Sequence, residues 1–177
     1  TELDKIYMEK GFFPALRKGE QETVKEVHPF ERRQAVSVTL EHSYDDWCIA
    51  QMARILGKEQ DYEYFSKSSR NYRNLYDERI GFMAPKDADG RWVEDFDPKF
   101  GGGLGGRDYT TECNSWVYTF HVQHDIEGLI DLMGGKEKFS ERLDALFNEQ
   151  YNGSKYWFLA QFPDSTGLIG QYPQGNE

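Results

Sequence analysis

The strongest structural signal in the sequence is a helical repeat of apolar residues that runs from Gln34 to Leu56. Apolar side chains that recur every three or four residues share one face of an α-helix. Gly57 follows directly, and glycine is common just beyond a helix C-terminus. The pattern therefore predicts a long helix here. The residues that carry it are Val38, Leu40, Ile49, Met52, Ala53 and Leu56.

Similar patterns predict helices on both sides of this segment. The other predicted helices are Glu2–Lys10, Glu59–Tyr76, Glu112–Phe120, Asp125–Met133 and Lys136–Glu149. In the last of these, four apolar residues are expected to face inward: Phe139, Leu143, Leu146 and Phe147. Asp89 and Gly90 separate two short apolar runs, which predicts a small β-hairpin. The chain is thus predicted to be mainly α, with long loops.

The composition narrows the class of protein. The 177 residues include 12 Phe, 11 Tyr and 4 Trp, whereas disordered chains contain few aromatic residues. The formal net charge of −10 argues against binding to nucleic acid, which requires clustered Lys and Arg. No apolar run approaches the roughly 20 residues that span a bilayer, so no membrane-spanning segment is expected.

The segment Tyr109–Tyr118 (YTTECNSWVY) is rich in side chains that could take part in chemistry. Glu112 lies beside Asn114 and several aromatic residues. Aromatic neighbours remove water from a carboxyl group and raise its pKa, which suits a proton donor near neutral pH. The alternative is that Thr111 caps a helix and Glu112 only interacts with the helix dipole. Spacing alone favours this structural alternative.

Two other polar clusters also have structural and functional interpretations. Asp45 and Asp46 are adjacent in a predicted helix, so their side chains point about 100° apart and only one can face inward. His121 and His124 could share a helical face and bind a metal. Asp125 resembles the N-cap of the following helix, however, which favours capping or hydrogen bonding over metal binding.

Aromatic rings and oxygen-bearing loops suggest a binding surface. Flat sugar faces stack on aromatic rings, although any single ring is more often part of a core. The loop 164–177 is rich in side-chain oxygens, the atoms that calcium prefers, but it lacks the regular pattern of an EF-hand. The aromatic candidates are Trp92, Trp116, Trp157 and Tyr172.

Several segments, taken in order, resemble one family closely. They are residues 37–52 (SVTLEHSYDDWCIAQM), 81–86 (GFMAPK), 89–92 (DGRW), 109–118 (YTTECNSWVY), 124–130 (HDIEGLI), 166–172 (TGLIGQY) and 175–177 (GNE). Their order and character resemble the bacterial α-mannosidases of glycoside hydrolase family 92. The resemblance covers nearly the whole chain from about residue 34.

The resemblance implies a fold and an activity. Members of the family have an (α/α)6 helical barrel as catalytic domain, preceded by a β-sandwich domain. They are calcium-dependent, inverting, exo-acting α-mannosidases, many with α-1,2 specificity. On this basis residues 1–177 are expected to form part of the (α/α)6 catalytic domain, with the β-sandwich upstream and the rest of the barrel downstream. The family's catalytic base belongs to a motif beyond Gly-Asn-Glu, so this chain alone is expected to be inactive.

The resemblance also implies roles for individual residues. Glu112 is the expected general acid, and Asn176 with Glu177 are the expected calcium ligands. The expected substrate-binding residues are Asn114, Trp116, Trp92, Gly175 and Glu177. Three positions depart from the usual family pattern: Cys113 replaces a frequent Gly, and Pro173-Gln174 replaces Ala-His.

The expected partners are mannose-containing glycans, and the expected location is the periplasm, the cell surface or the medium of a bacterium. Two alternatives remain open from the sequence. One is a non-catalytic helical module that binds carbohydrate or a protein. The other is an (α/α)6 hydrolase that acts on a different sugar.

Overall fold

The computed structural model describes residues 1–100, 109–111 and 114–157. The helices are α1 (Glu2–Lys10), α2 (Ala35–Ile55), α3 (Glu59–Ser68), α4 (Ser115–Tyr118), α5 (Ile126–Leu132) and α6 (Lys136–Asn148). The described residues also form two 3₁₀ segments, Asn71–Leu75 and Ser154–Tyr156, and two short strands, β1 (Tyr76–Asp77) and β2 (Phe82–Met83). No helix in these ranges is long and apolar enough to cross a membrane.

Local sequence signals explain both ends of α1. The Thr1 hydroxyl accepts a hydrogen bond from the backbone amide of Asp4, and the Asp4 carboxylate accepts one from the N-terminal amine, which completes a capping box. Gly11 adopts φ 74°, a left-handed conformation that ends the helix. The predicted bounds of this helix are confirmed.

The predicted long helix is confirmed as α2, which provides much of the core. Leu40 is fully buried, and Gly57 follows the helix with φ 66°. The C-terminal half differs from the prediction, because Ile49, Met52 and Leu56 are exposed within the described part of the chain. Their apolar spacing predicted the helix correctly but not its burial.

The predicted helix Glu59–Tyr76 is wrong in its second half, where α3 gives way to a 3₁₀ segment. At the end of α3 the Ser69 hydroxyl donates a hydrogen bond of 2.9 Å to the carbonyl of Ser66. Short polar side chains that bond to nearby backbone compete with helical hydrogen bonding. The tighter segment that follows places Tyr72 and Leu75 in the core, where both are fully buried.

The main core joins α2, the first 3₁₀ segment, β2, α4 and α5. Its buried members are Phe12, Val36, Leu40, Tyr72, Leu75, Met83, Tyr118, Val122, Leu129 and Met133. A smaller cluster contains Phe82, Trp116 and Leu146, and it attaches α6 to β2 and α4. Leu146 is therefore buried as predicted. Phe147 is 59% exposed, so its predicted inward orientation is wrong.

Two chain reversals follow the first 3₁₀ segment. β1 pairs antiparallel with β2, with Tyr76 opposite Met83, and the sequence did not indicate this pairing. The predicted hairpin around Gly90 is present in reduced form, as an antiparallel bridge between Lys86 and Trp92. After the two reversals, Val93, the residue next to Trp92, packs against Ala15 and against Ala35 at the start of α2.

Candidate active site

The segment before Glu112 is anchored on the first turn of α2. The carbonyl of Tyr109 accepts hydrogen bonds from the backbone amides of Val36 (2.8 Å) and Ser37 (3.3 Å). The first amides of a helix have no partner within the helix, so this carbonyl satisfies two of them. The backbone amide of Thr111 in turn donates to the Ser37 hydroxyl at 2.8 Å, and the Thr111 hydroxyl donates to the side chain of Gln34.

The segment after Glu112 is anchored by Asn114, the N-cap of α4. The Asn114 side-chain oxygen accepts from the amide of Val117 (3.1 Å), and its side-chain nitrogen donates to the Tyr151 hydroxyl (2.8 Å). The expectation that Thr111 caps this helix is therefore wrong, because α4 begins at Ser115. In this short helix the cap must lie directly before Ser115. Asn114 occupies that position and accepts the hydrogen bond from the Val117 amide, which Thr111 is too far away in sequence to accept.

Several predicted site residues lie outside the part of the chain that the structure describes. They are the expected acid Glu112, with its neighbour Cys113, and the expected sugar and calcium residues Gly175, Asn176 and Glu177. Thr111 and Asn114, on either side of the first pair, are described. The roles of all these residues stay predictions.

Trp116 lies in the interior of the described structure. Its side chain is 7% exposed and its ring centroid lies 4.7 Å from that of Phe82. The Arg142 guanidinium lies 5.5 Å from the indole centroid. Within the described residues the indole Nε1–H has no hydrogen-bond acceptor. The surroundings of Trp116 are those of a core residue, and its predicted contact with sugar stays a prediction.

Trp92 is half-buried beside a surface cavity of about 350 Å³. The Lys86 ammonium lies 4.2 Å from the indole centroid, and burial lowers the pKa of Lys86 although the charge of Asp77 opposes the shift. Arg17 and Asp87 also line the cavity, and they form an ion pair of 2.6 Å. An aromatic ring and charged hydrogen-bonding groups thus share one concave surface.

A polar network next to Asn114 escaped the sequence analysis. The Asp97 carboxylate accepts hydrogen bonds from the Tyr156 hydroxyl (2.6 Å) and the Lys155 ammonium (2.5 Å). The Lys99 ammonium pairs with Glu149 at 2.7 Å. The network joins the loop before residue 101 to the chain that follows α6. No short motif indicates it, because the partners lie more than 45 residues apart.

The hydrogen bonds of this network shift two pKa values. Burial would raise the pKa of Asp97, but hydrogen bonds from Lys155 and Tyr156 outweigh burial and lower it. Burial and the hydrogen bond to the Asp97 carboxylate raise the pKa of Tyr156 to about 12. Asp97 is consequently an anion at neutral pH and holds its partners in place.

The structural interpretation of Asp46 is confirmed. The carboxylate is buried and accepts a hydrogen bond of 3.0 Å from the Tyr7 hydroxyl and another from the Ser68 hydroxyl, whereas Asp45 is exposed. It therefore ties α1 and α3 to α2.

The structural interpretation of the histidine cluster is also confirmed. His124 Nε2 lies 2.8 Å from the carbonyl of Ser69, and Asp125 caps α5 by accepting from the amide of Gly128 at 3.1 Å. Across the described ranges, no three His, Cys, Asp or Glu residues are grouped so as to hold a metal ion. The expected calcium ligands Asn176 and Glu177 lie outside the described residues.

Comparison with known proteins identifies the class. Residues 2–177 match the profile described as the glycosyl hydrolase family 92 catalytic domain. An uncharacterized secreted glycosidase of Arthroderma benhamiae is 33% identical over 150 residues, which cover 72% of this chain and 19% of the relative. These findings place the chain among the glycoside hydrolases.

Solved structures agree with this class. The family 92 inverting mannosidase of Bacteroides thetaiotaomicron matches 99% of the chain with 35% identity and a TM-score of 0.69, and the match covers 22% of that protein. A second family 92 α-mannosidase of the same species, in complex with mannoimidazole, matches 97% of the chain with 35% identity and a TM-score of 0.73, and the match covers 20% of that protein. The chain belongs to glycosyl hydrolase family 92.

These similarities confirm the predicted mainly helical fold, since the matching mannosidases contain an (α/α) barrel. The chain spans about a fifth of the length of the relatives it matches. The division of the whole protein into a β-sandwich and an (α/α)6 barrel stays a prediction.

Proposed function

We propose that the whole protein hydrolyses terminal α-linked mannose, preferentially α-1,2-linked, from glycans with inversion of configuration. The similarity to an inverting mannosidase and to a mannosidase that binds mannoimidazole supports this substrate class. The observation that carries the proposal is that the chain is anchored on both sides of Glu112. Thr111 bonds to the first turn of α2, and Asn114 caps α4 and bonds to Tyr151.

Inverting hydrolysis of a glycoside requires two carboxyl groups with different tasks. One is protonated and donates its proton to the departing oxygen, and the other removes a proton from a water molecule on the opposite face of the sugar. Glu112 is the proposed acid. Since proton transfer depends on a geometry accurate to a fraction of an ångström, fixed backbone on both sides of the acid is functionally useful.

The cavity beside Trp92 is the proposed site of a sugar contact within the described residues. An indole ring can stack on the apolar face of a sugar, while the partly exposed guanidinium of Arg17 can bond to its hydroxyls. The side chain of Asn114 is engaged with Val117 and Tyr151, so we assign it a role in placing α4 as well as the predicted contact with substrate.

Calcium is part of the proposal through the two expected ligands Asn176 and Glu177. Their amide and carboxylate oxygens are suitable donors for calcium, which takes six to eight oxygen ligands, so further ligands must come from elsewhere. When bound, the ion would polarise and orient sugar hydroxyls. The steps that this chain supplies are proton donation by Glu112 and sugar contact.

The variant Glu112→Gln tests the proposed acid in the whole protein. Hydrolysis of α-1,2-mannobiose should fall by about 10²–10⁴, because this leaving group requires a proton. Hydrolysis of 2,4-dinitrophenyl α-mannoside should fall much less, because its leaving group departs as an anion. The rates are measured before and after chelation of calcium, which should also reduce them.

The matched control is Glu63→Gln, which removes an exposed carboxylate from α3. It should leave both rates unchanged. If the unmodified protein binds mannosides but hydrolyses neither substrate, the protein is a carbohydrate-binding module and the proposed activity is wrong. If Glu112→Gln keeps full activity on mannobiose, another residue is the acid.

We further propose that the whole protein is exported from the cell. The fungal relative that matches this chain is described as secreted, which supports the export of a glycan-degrading enzyme. The bacterial periplasm or surface stays the predicted destination.

A further inference from the structure

We infer that Gln34, at the start of α2, is a positioning residue that fixes the general acid through Thr111. The inference rests on the proposed function, because it concerns the residue that directly precedes Glu112. The proposed effect of Gln34 on Glu112 is indirect, through its side-chain hydrogen bond with Thr111, the residue that precedes Glu112 in sequence.

The backbone of Gln34 is strained. It adopts φ 46° and ψ 43°, the left-handed region that residues other than glycine rarely occupy because the Cβ atom crowds the following carbonyl. Such strain persists only where the surrounding structure holds it in place, and it is concentrated at functional sites. The conformation of Gln34 therefore requires an explanation.

Helix capping does not explain the choice of glutamine. Gln34 occupies the N-cap position of α2, but its side chain forms no capping hydrogen bond. The residues favoured at an N-cap are Ser, Thr, Asp, Asn and Gly, and glycine would also relieve the strain. A residue selected only to begin the helix would be one of these.

The side chain of Gln34 is instead held at both ends of its amide. Its Nε2 donates to the carbonyl of Glu31 at 3.1 Å and to the Glu31 carboxylate at 3.3 Å. These two bonds direct the opposite atom, Oε1, to accept the hydroxyl hydrogen of Thr111. The left-handed backbone and the Glu31 contacts together orient the amide oxygen toward the 109–111 segment.

The same helix turn holds the backbone of Thr111. The Ser37 hydroxyl accepts from the Thr111 amide, and the carbonyl of Tyr109 accepts from the first amides of α2. Val36, between these contacts, is fully buried, so this turn of α2 is packed into the core. Gln34 adds the only described restraint on the Thr111 side chain, and this restraint acts on the residue adjacent to the acid.

The test uses Gln34→Gly in the whole protein, with the two mannosides that differ in leaving group. Glycine accepts a positive φ, so the thermal midpoint should stay equal or rise. The turnover rate on α-1,2-mannobiose should nevertheless fall by about 10-fold, because a misplaced acid transfers its proton poorly. KM and the rate on 2,4-dinitrophenyl α-mannoside should change little. A purely structural role would not produce this selective loss of turnover on mannobiose.

Arg32→Gly is the matched control. Arg32 is also a non-glycine residue with positive φ, 62°, two positions before Gln34, and its exposed side chain is not among the hydrogen-bond partners described for Thr111. The variant should relieve similar strain, yet leave the ratio of the two rates as in the unmodified protein.

Variants of Thr111 complete the test. Thr111→Val removes the hydroxyl and should reproduce the selective loss on mannobiose, whereas Thr111→Ser keeps the hydroxyl and should restore most of the activity. The double variant Gln34→Gly/Thr111→Val should be no worse than either single variant, because both remove the same hydrogen bond.

The outcomes separate the inference from the proposed function. If Glu112→Gln behaves as an acid variant but Gln34→Gly leaves the rate ratio unchanged or slows both substrates equally, the positioning role is wrong and the proposed function stands. If Glu112→Gln retains full activity on mannobiose, the proposed acid is wrong, and the positioning role is overturned with it.

Discussion

At the scale of single residues, Thr111, Asn114 and the adjoining polar network are held by hydrogen bonds between distant parts of the chain. Thr111 bonds to the start of α2, Asn114 bonds to Tyr151, and Asp97 bonds to Lys155. Each partner lies tens of residues away in sequence. A short motif can therefore suggest a candidate acid, but it does not contain the distant residues that hold the neighbouring chain.

Asp97 provides a prediction at this scale. Its pKa is lowered in the folded chain, so its contribution to stability is present at neutral pH and is lost as the pH falls below its usual value of 3.8. Asp97→Asn should lower the free energy of unfolding by about 1–2 kcal/mol at pH 7, since a charge-assisted hydrogen bond is weakened and Lys155 is largely exposed.

Denaturant unfolding of the chain at pH 7 and at pH 3 measures this effect. The difference between Asp97→Asn and the unmodified chain should be smaller at pH 3, because Asp97 is mostly protonated in the unfolded chain there, whereas its lowered pKa opposes protonation in the folded chain. An equal difference at both pH values would mean that the charge of Asp97 does not stabilise the network.

At the scale of elements, local sequence signals predicted where helices lie better than they predicted which residues are buried. Thr1 and Gly11 define α1, and Asp125 begins α5, because capping depends on nearby residues. The end of α3 and the exposure of Phe147 were missed, since they depend on which faces other segments cover. The β1–β2 pair was missed because strands of two residues have no periodicity to detect.

The site shows the same division between local and tertiary information. The position of Asn114 near a helix start was evident from sequence, whereas its bond to Tyr151 was not. The left-handed conformation of Gln34 had no signal, because glutamine is not typical of such positions. Tertiary contacts, which a single sequence does not display, determine both features.

Gly81, in the turn between β1 and β2, provides a prediction at the element scale. Its φ is 73°, and a Cβ atom there would lie 2.7 Å from the Arg142 guanidinium, which packs 4.2 Å from the centroid of Phe82. Gly81→Ala should therefore combine backbone strain of about 1–2 kcal/mol with roughly 1 kcal/mol for displaced Arg142. Thermal or denaturant unfolding of the chain measures the sum.

Gly19→Ala is the matched control for backbone strain alone. Gly19 also has a positive φ, 86°, but a Cβ atom there would meet no atom within 4 Å. The Gly19→Ala variant should lose only the stability that backbone strain costs, about 1–2 kcal/mol. Equal losses for the two variants would show that Arg142 moves aside without cost and that its stacking on Phe82 does not stabilise the β1–β2 pair.

At the scale of the whole molecule, the proposed reaction requires two carboxyl groups, and this chain contains only the proposed acid, Glu112. Its match to the family extends over residues 2–177, while it spans about a fifth of the length of the solved mannosidases. The family resemblance assigns the acid to Glu112 and the base to a motif that follows Gly-Asn-Glu. An inverting site requires the two groups to face each other across about 6.5–9.5 Å, with water between them.

The last prediction follows from this requirement. The 177-residue chain, purified alone, should release no mannose from α-1,2-mannobiose above the background of its own Glu112→Gln variant, although it retains the helical core. The whole protein should hydrolyse the same substrate under the same conditions. Measurement of released mannose over several hours, with circular dichroism to verify folding, separates absence of the base from failure to fold. Turnover by the folded chain that disappears in Glu112→Gln would mean that a base lies within residues 1–177, and the assignment of the base beyond Gly-Asn-Glu would then be wrong.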